Sequence, residues 1–380
     1  MKKSLYLLAI LFSLSSTFAQ IGEKVYYTSP IYLDFDIHYQ NYKMNDTSLT
    51  LFCLPVNIMV PITNQLSISI SNIPYQITHK YDNSSYNLKN ISDTKVLIKY
   101  IFLDKKALVN LFLNLPSGKT KIDIDEFDIL TNLSMSILKY KIITLGEGFN
   151  IGLGFNYALP LNKNSTIAFG ISYNSKSEYE PVNYERIDKS LQLKYKPSDE
   201  LGINFNYFQK ITKNINLSLD LLYTTFNKSK INNNDIFQPG DIISSIIYFW
   251  INSDDINHSF LLNLRKINNN ELKENGNWIK YENSMRIEAD YKVEFNTFSN
   301  IIIYPILQYR NYGKYLDNWN GVITNINSSN ILSFGIGTRI PITDLLNLKF
   351  TTKYNFGKIE IDKVNNIKGI EAFLNINVAY

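Results

Sequence analysis

In segment after segment from Ile31 to its last residue the chain places apolar side chains at every second position, and this alternation limits what it can fold into. Ile31, Leu33, Phe35, Ile37 and Tyr39 interleave with Tyr32, Asp34, Asp36, His38 and Gln40. Leu66, Ile68 and Ile70 interleave with serines, Ile151, Leu153, Phe155 and Tyr157 with Asn and Gly, and Ile167, Phe169, Ile171 and Tyr173 with Ala, Gly and Ser. A period of two puts one face of an extended segment against apolar surroundings and the other against polar ones. A helix cannot use it. The longest later apolar run, residues 242–251, is broken by Ser244 and Ser245 and reaches half of the roughly 20 residues that a membrane helix needs.

Repeated along the chain, the pattern is the apolar-out, polar-in dyad of a closed antiparallel barrel in a membrane, where an open sheet edge is not tolerated. Averages hide it. A mean hydropathy of -0.14 and a hydrophobic content of 45% would suit a soluble protein equally well. Tyrosine is in excess among the aromatics (Tyr 27, Phe 22, Trp 3), as suits side chains with a greasy ring and a wet hydroxyl at a membrane interface. Cys53 stands alone, which excludes an intramolecular disulfide. With 38 basic and 34 acidic residues the charge is too balanced to imply nucleic acid.

The two ends carry matching expectations. Lys2 and Lys3, an apolar run over residues 5–14, and Thr17-Phe18-Ala19 read as a cleaved signal peptide over 1–19, leaving a single barrel domain over 20–380. At the other end Ala372, Leu374, Ile376, Val378 and Tyr380 form an unbroken alternation ending on an aromatic residue. This resembles the C-terminal strand of bacterial outer-membrane β-barrel proteins. The resemblance implies export to the outer membrane of a Gram-negative bacterium, insertion by the barrel-assembly machinery, and contact with lipid and lipopolysaccharide.

Short turns are expected at 61–65, 104–106, 161–164, 210–214, 253–257, 296–299 and 341–345, and long polar loops at 41–47, 80–91, 116–145, 177–189, 227–240, 268–280, 312–330 and 362–366. Together they imply about 16 strands, within 14 to 18, with both termini and all short turns on the periplasmic side. The count turns on two stretches. Residues 129–141 read as a further strand or a short helix, and 191–209 as one bent strand or two split at Pro197-Ser198-Asp199. Pro61-Ile62-Thr63, Pro160-Leu161-Asn162 and Pro341-Ile342-Thr343 repeat one turn chemistry, Pro being suited to a strand end because it cannot donate to a ladder.

Enzyme chemistry finds little support. Gly118-Lys119-Thr120 lacks the first glycine of a phosphate loop, since Leu113 stands there, and Gly146, Gly148, Gly152 and Gly154 miss the dinucleotide fingerprint at Ile151. His38, His79 and His258 have no metal spacing and no nucleophile elbow nearby. No catalytic residue, cofactor or metal is assigned. Asp123, Asp125, Glu126 and Asp128 form an acidic cluster in the longest external loop, without the glycine-centred turn of a calcium loop. Candidate lumen-lining residues are Asp34, Asp36, His38, Lys95, Lys99, Asn150 and Asn156; Leu51, Met59, Leu97, Leu108 and Phe112 suggest a partly greasy interior between the second and fifth strands.

Leu115-Pro116-Ser117-Gly118 at a strand end, a long excursion, and Leu145-Gly146-Glu147-Gly148 opening a strand rich in Gly and Asn resemble the fatty-acid and aromatic-hydrocarbon uptake barrels (FadL-like) over residues 111–173, about 60 of the 380. Members carry an N-terminal hatch, whereas here only residues 20–30 precede the first strand. The resemblance implies a channel or uptake barrel for small solutes, hydrophobic ones included, with the 116–145 loop as a substitute constriction. The alternative is a structural or surface-binding barrel with a plugged lumen.

Overall fold

A computed structural model describes residues 31–379 except 82–83, 124–125, 183–192, 298–300, 320–321 and 362. The proposed signal peptide, residues 20–30, Asp125 and Tyr380 lie outside the described residues. The chain forms strands β1 (Tyr32–Met44), β2 (Thr47–Cys53), β3 (Val56–Pro61), β4 (Leu66–Asn72), β5 (Pro74–Tyr81), β6 (Ser84–Ile91), β7 (Thr94–Phe102) and β8 (Ala107–Leu115), then helix α1 (Phe127–Ser134). There follow β9 (Asn150–Pro160), β10 (Ser165–Lys176), β11 (Tyr195–Lys196), β12 (Glu200–Lys210), β13 (Ile215–Phe226), β14 (Ser229–Ile231), β15 (Asn234–Gln238), β16 (Ile242–Asn252) and β17 (Ile256–Ile267). The last are β18 (Asn270–Glu274), β19 (Asn277–Tyr281), β20 (Met285–Asn296), β21 (Ile302–Tyr312), β22 (Tyr315–Trp319), β23 (Val322–Ile326), β24 (Ser328–Pro341), β25 (Leu346–Glu360) and β26 (Val364–Ala379).

All pairings in the main sheet are antiparallel, and β26 returns to β1 in register from Tyr32–Ala379 to Met44–Ile367. The sheet is therefore a closed 16-strand barrel. Its ring runs β1, β3, β4, β7, β8, β9, β10, β12, β13, β16, β17, β20, β21, β24, β25, β26. The stretch 191–209 resolves into β11 and β12, separated at residues 197–199, and 129–141 contributes α1 and irregular chain but no stave.

At one end sit the described termini and seven short turns. Several share one hydrogen-bond scheme. Ile62, Leu161, Ile211 and Ile342 each donate a backbone N–H to the carbonyl four residues on (2.8–2.9 Å), and Thr63, Thr212 and Thr343 accept the N–H three residues on (2.9–3.1 Å). The Ile-Thr repeat in the sequence is thus a turn that a threonine hydroxyl closes from within.

The opposite end differs from the sequence expectation. Segments 41–47, 80–91 and 362–366 stay in the ladder nearly to their tips, with Met44 opposite Thr47, Tyr81 opposite Ser84 and Glu360 opposite Val364. Asn45, at φ 49°, takes the left-handed conformation that a two-residue hairpin demands. Their apolar residues are sparse and their outward positions largely polar, as at Asn41, Lys43, Asn87 and Lys89, which disguises them as loops, because above the membrane a strand needs no apolar outer face. The staves β3/β2, β4/β5 and β7/β6 are each interrupted at the same height, at Leu54-Pro55, Ile73 and Ser92-Asp93, where Leu54 N–H bonds Pro74 O and Ser92 N–H bonds Ile73 O (both 2.9 Å). Pro55 and Pro74 have no N–H for the ladder, so the break falls there. Strands β11, β14, β15, β18 and β19 form a second sheet from three of the loops, and β22–β23 a separate hairpin.

Outward positions are apolar and bare: Leu153 is 60% exposed, Ile336 53%, Phe169 51% and Ile171 49%. So large an exposed apolar surface has no place in water and is the face a bilayer requires. Ile171→Arg, near mid-height of β10, should cost about 2–4 kcal/mol. Reversible urea unfolding in lipid vesicles measures it, and a cost near zero would place Ile171 away from lipid.

Candidate functional site

The inside of the barrel departs from a simple polar lumen. In its loop-side half, inward positions of the wall are apolar: Tyr42, Leu49, Leu51, Cys53, Tyr75, Ile77, Ile331, Ile359 and Ile367 are all buried. They face Ile129, Leu130, Leu133, Met135, Ile137, Leu138, Tyr140 and Ile142 of the segment between β8 and β9, and the two sets make one hydrophobic cluster. Each such residue fully removed from water contributes about 1.5–3 kcal/mol. The 116–149 segment folds into the lumen, and its contact with the wall is the molecule's main apolar core. Leu51 is wholly covered by it, so the greasy interior expected from the sequence is partly this contact; Met59, Leu97 and Phe112 remain half-buried on the staves below.

Asp93, at the kink between β6 and β7, holds both legs of the segment. Its carboxylate accepts Asn114 Nδ2 (2.7 Å) and Gly118 N (2.8 Å) on the way in and Glu147 N (2.7 Å) on the way out. Asn114 also donates to Gly148 O (2.7 Å), and Ser117 Oγ accepts Thr94 N–H (2.8 Å). Gly118 permits this closeness, since a Cβ there would lie 2.5 Å from Leu145 O and 2.8 Å from Asp93 N. Beyond the clamp, Glu126 pairs with Lys119 at 2.5 Å before α1 begins, and Asp128 in its first turn complements the helix dipole. Ile129, Leu130 and Leu133 give α1 its buried face.

The tip, residues 136–141, docks on the far wall. Arg310 donates to Ile137 O (2.5 Å), Arg286 to Ser136 Oγ (2.9 Å), and Lys139 pairs with Glu288. Gln40 donates to Lys139 O (3.2 Å) and accepts Lys141 N–H (2.7 Å), while Tyr140 OH reaches Leu49 O (3.3 Å). Burial beside Tyr42 and Glu371 holds the Tyr140 phenol well above its ordinary range, so it stays neutral within the cluster.

This wall, from β20 round to β1, is densely charged and internally paired. Arg310 meets Asn355 Oδ1 (3.3 Å) and Glu371 (3.9 Å), Lys353 meets Glu371 (2.7 Å), and Tyr42 and Tyr312 donate to Glu371 and Glu288. Nearer the turns, Glu294 bridges Lys292 (2.6 Å) and Arg339 (3.3 Å). The opposite wall, β8 to β13, reads differently: Asn110, Gly152, Gly154, Asn156, Gly170, Gly202, Asn204, Asn206 and Ser218 face inward, with Asp220 among them and the Lys176–Glu200 ion pair at the loop-side end.

Asp34, Asp36 and His38 lie on the inward face of β1: Asn377 donates to Asp34, Asn375 to Asp36 (2.5 Å), and His38 Nε2 is 3.5 Å from Asp36. Lys95 and Lys99 face inward on β7 opposite Asn114 and Asn110, and Asn150 and Asn156 face inward on β9. These residues occupy several staves and do not converge on one point. Asp123 and Glu126 lie beside Lys119, and no metal-holding group occurs among the described residues. Cys53 is a buried free thiol.

Asp93, Lys139, Arg286, Glu288, Arg310 and Glu371 were not singled out from the sequence. Arg310 and Glu371 carried a weak signal, as ionised residues on the polar face of strands whose same-face neighbours, Gln308 and Tyr312, Gly369 and Phe373, are uncharged. No protein family and no curated protein matches the chain. Among solved structures it is similar to a bacterial polysaccharide outer membrane secretin (TM-score 0.47, 8% identity, 92% of this chain and 98% of that one). It is also similar to the CymD monoaromatic hydrocarbon channel (0.43, 11%, 93% and 89%) and to Pseudomonas aeruginosa OccK5 (0.48, 8%, 93% and 98%).

Asp93→Ala should free the legs of the segment, because hydrogen bonds to a charged group are each worth about 1.5–3 kcal/mol. Limited proteolysis of the folded protein in vesicles should then cut within 116–149 at least tenfold faster than in wild type. Equal rates would mean that the clamp does not hold the segment.

Proposed function

We propose that this chain is an outer-membrane channel for small solutes, exported by its cleaved N-terminal segment and inserted as a single barrel. The observation that carries the reading is the one-sided crossing of the lumen. Within the barrel the inward segment bonds to the staves β1, β2, β5, β20 and β21, while its entry leg pairs with the chain that follows β10, Ile122 N–H to Pro181 O (3.1 Å) and Lys121 to Glu180 (2.9 Å). A barrel of 16 to 18 strands is wide enough to keep an aqueous passage. A loop laid against one wall narrows such a passage without filling it.

The path would follow the Gly, Asn and Ser wall, entering beside the clamp at Asp93 and leaving past Lys99, Asp34 and Asp36 on the turn side. Groups lining the narrowest part set selectivity. Apolar solutes would be favoured by Met59, Leu97 and Phe112. The rival reading, a plugged barrel with a structural or surface-binding role among lipid and lipopolysaccharide, draws on the size of the apolar cluster within the lumen.

Planar-bilayer recording separates the two. Purified wild type should give discrete open-channel currents, and Glu288→Gln, which removes the partner of Lys139 and loosens the tip, should raise the mean conductance. Silence from wild type and from a variant with residues 135–141 replaced by a short glycine-serine link would reject the channel.

A further inference from the structure

The Gly and Asn wall carries a feature that neither passive sieving nor an apolar cargo uses. Asn156, Gly170 and Asn204 stand in one cross-strand row on β9, β10 and β12. The carboxamides of Asn156 and Asn204 close over Gly170, in space that any Cβ would occupy, so this glycine permits the row. Asn110, on β8 one step away, and Asn156 are 4% and 0% exposed, and neither amide atom of either side chain has a hydrogen-bond partner among the described residues. Leaving a buried carboxamide unpaired costs about 1–3 kcal/mol for each group. Beside this row, Asn206 donates to Ser218 Oγ (3.2 Å) and to Asp220.

Next to the amides, on the turn side, lies an aromatic patch. Phe208 follows Asn206 by two positions on the same face, and its ring centre is 5.9 Å from that of Trp250, which in turn lies 4.6 Å from Tyr248. The register places Phe208, Ser218 and Tyr248 in one row across β12, β13 and β16. Inward-facing aromatic rings beside unpaired amides make a surface with a flat apolar part and a part rich in both donors and acceptors.

The geometry points to a binding site for a neutral polyhydroxylated ring, a sugar, on the wall formed by β8 to β16. A pyranose has an apolar C–H face for Phe208, Tyr248 and Trp250 and a rim of hydroxyls that both donate and accept, as a carboxamide does. Other classes fit less well. An anion would meet Asp220, which no cation pairs among the described residues, and an apolar solute would leave Asn110 and Asn156 unpaired. This assignment rests on the channel reading for its access route, and it names the solute class that reading leaves open.

Binding of radiolabelled maltotriose to the detergent-purified protein by equilibrium dialysis tests the site without requiring conduction. Saturable binding is expected. Asn206→Leu and Trp250→Ala should each weaken it at least tenfold, Trp250→Phe should retain it within about threefold, and benzoate should not compete. Heat-modifiable gel migration verifies that each variant is folded. If wild type binds no maltotriose, if both disruptive variants bind as wild type does, or if benzoate displaces the sugar, the assignment is wrong. Binding without any bilayer current would keep the site and reject the channel; current without binding would do the reverse.

Discussion

Everything in this molecule depends on the ladder between β1 and β26. Hydrocarbon offers no partner to a strand edge, so a sheet that enters it must close, and here closure is made by an unbroken register from Tyr32–Ala379 to Met44–Ile367. Closure has two consequences. Every stave must present apolar residues outward at every second position, and the 16 staves enclose a space too wide to be filled by their own inward side chains. What occupies that space decides what the barrel can do.

The chain answers with its longest connection. Prolines at 55 and 74 interrupt neighbouring staves at one height, and Asp93 stands at the same break with its carboxylate turned to the legs of the 116–149 segment. The break and the clamp are coupled, because a residue inside a regular ladder would be too far committed to strand pairing to bind three groups of a passing loop. Once inside, the segment divides the interior. Its apolar residues make the core against the loop-side half of the wall, its tip is held by Arg286, Glu288 and Arg310, and the Gly and Asn wall opposite is left for solute. Charge is therefore densest where it positions protein, and the wall opposite carries fewer charged groups, Asp220 and the Lys176–Glu200 pair among them.

The staves were legible in the sequence because period two is enforced by lipid on one face, and the turns because Pro, Thr and Asn repeat at their ends. Asp34, Asp36 and His38 share one face of β1, opposite Asn377, Asn375 and Phe373, as the same alternation requires. Above the membrane that constraint lapses, and segments 41–47, 80–91 and 362–366, largely polar on the outer face, pass for loops although their described residues stay paired. The inward segment was legible as a long excursion but its destination was not. Ile137, Lys139 and Tyr140 find their partners at Arg310, Glu288 and Leu49, between 91 and 173 positions away in the chain, and no local pattern encodes such pairings. Nor does local pattern show that an apolar inward residue such as Leu51 is covered by a loop rather than facing the passage.

The central claim is that the interior is divided, with the segment against the charged wall and the passage along the other. Cysteines placed singly in a Cys53→Ser background, at Ser329 and Ser333, both 1% exposed on the charged wall, and at the half-buried Ser172 and Asn204 on the wall opposite, report this directly through reaction with a small hydrophilic thiol reagent. The account predicts labelling at Ser172 and Asn204 at least tenfold faster than at Ser329 and Ser333. Equal labelling at all four positions, or faster labelling on the charged wall, would contradict it.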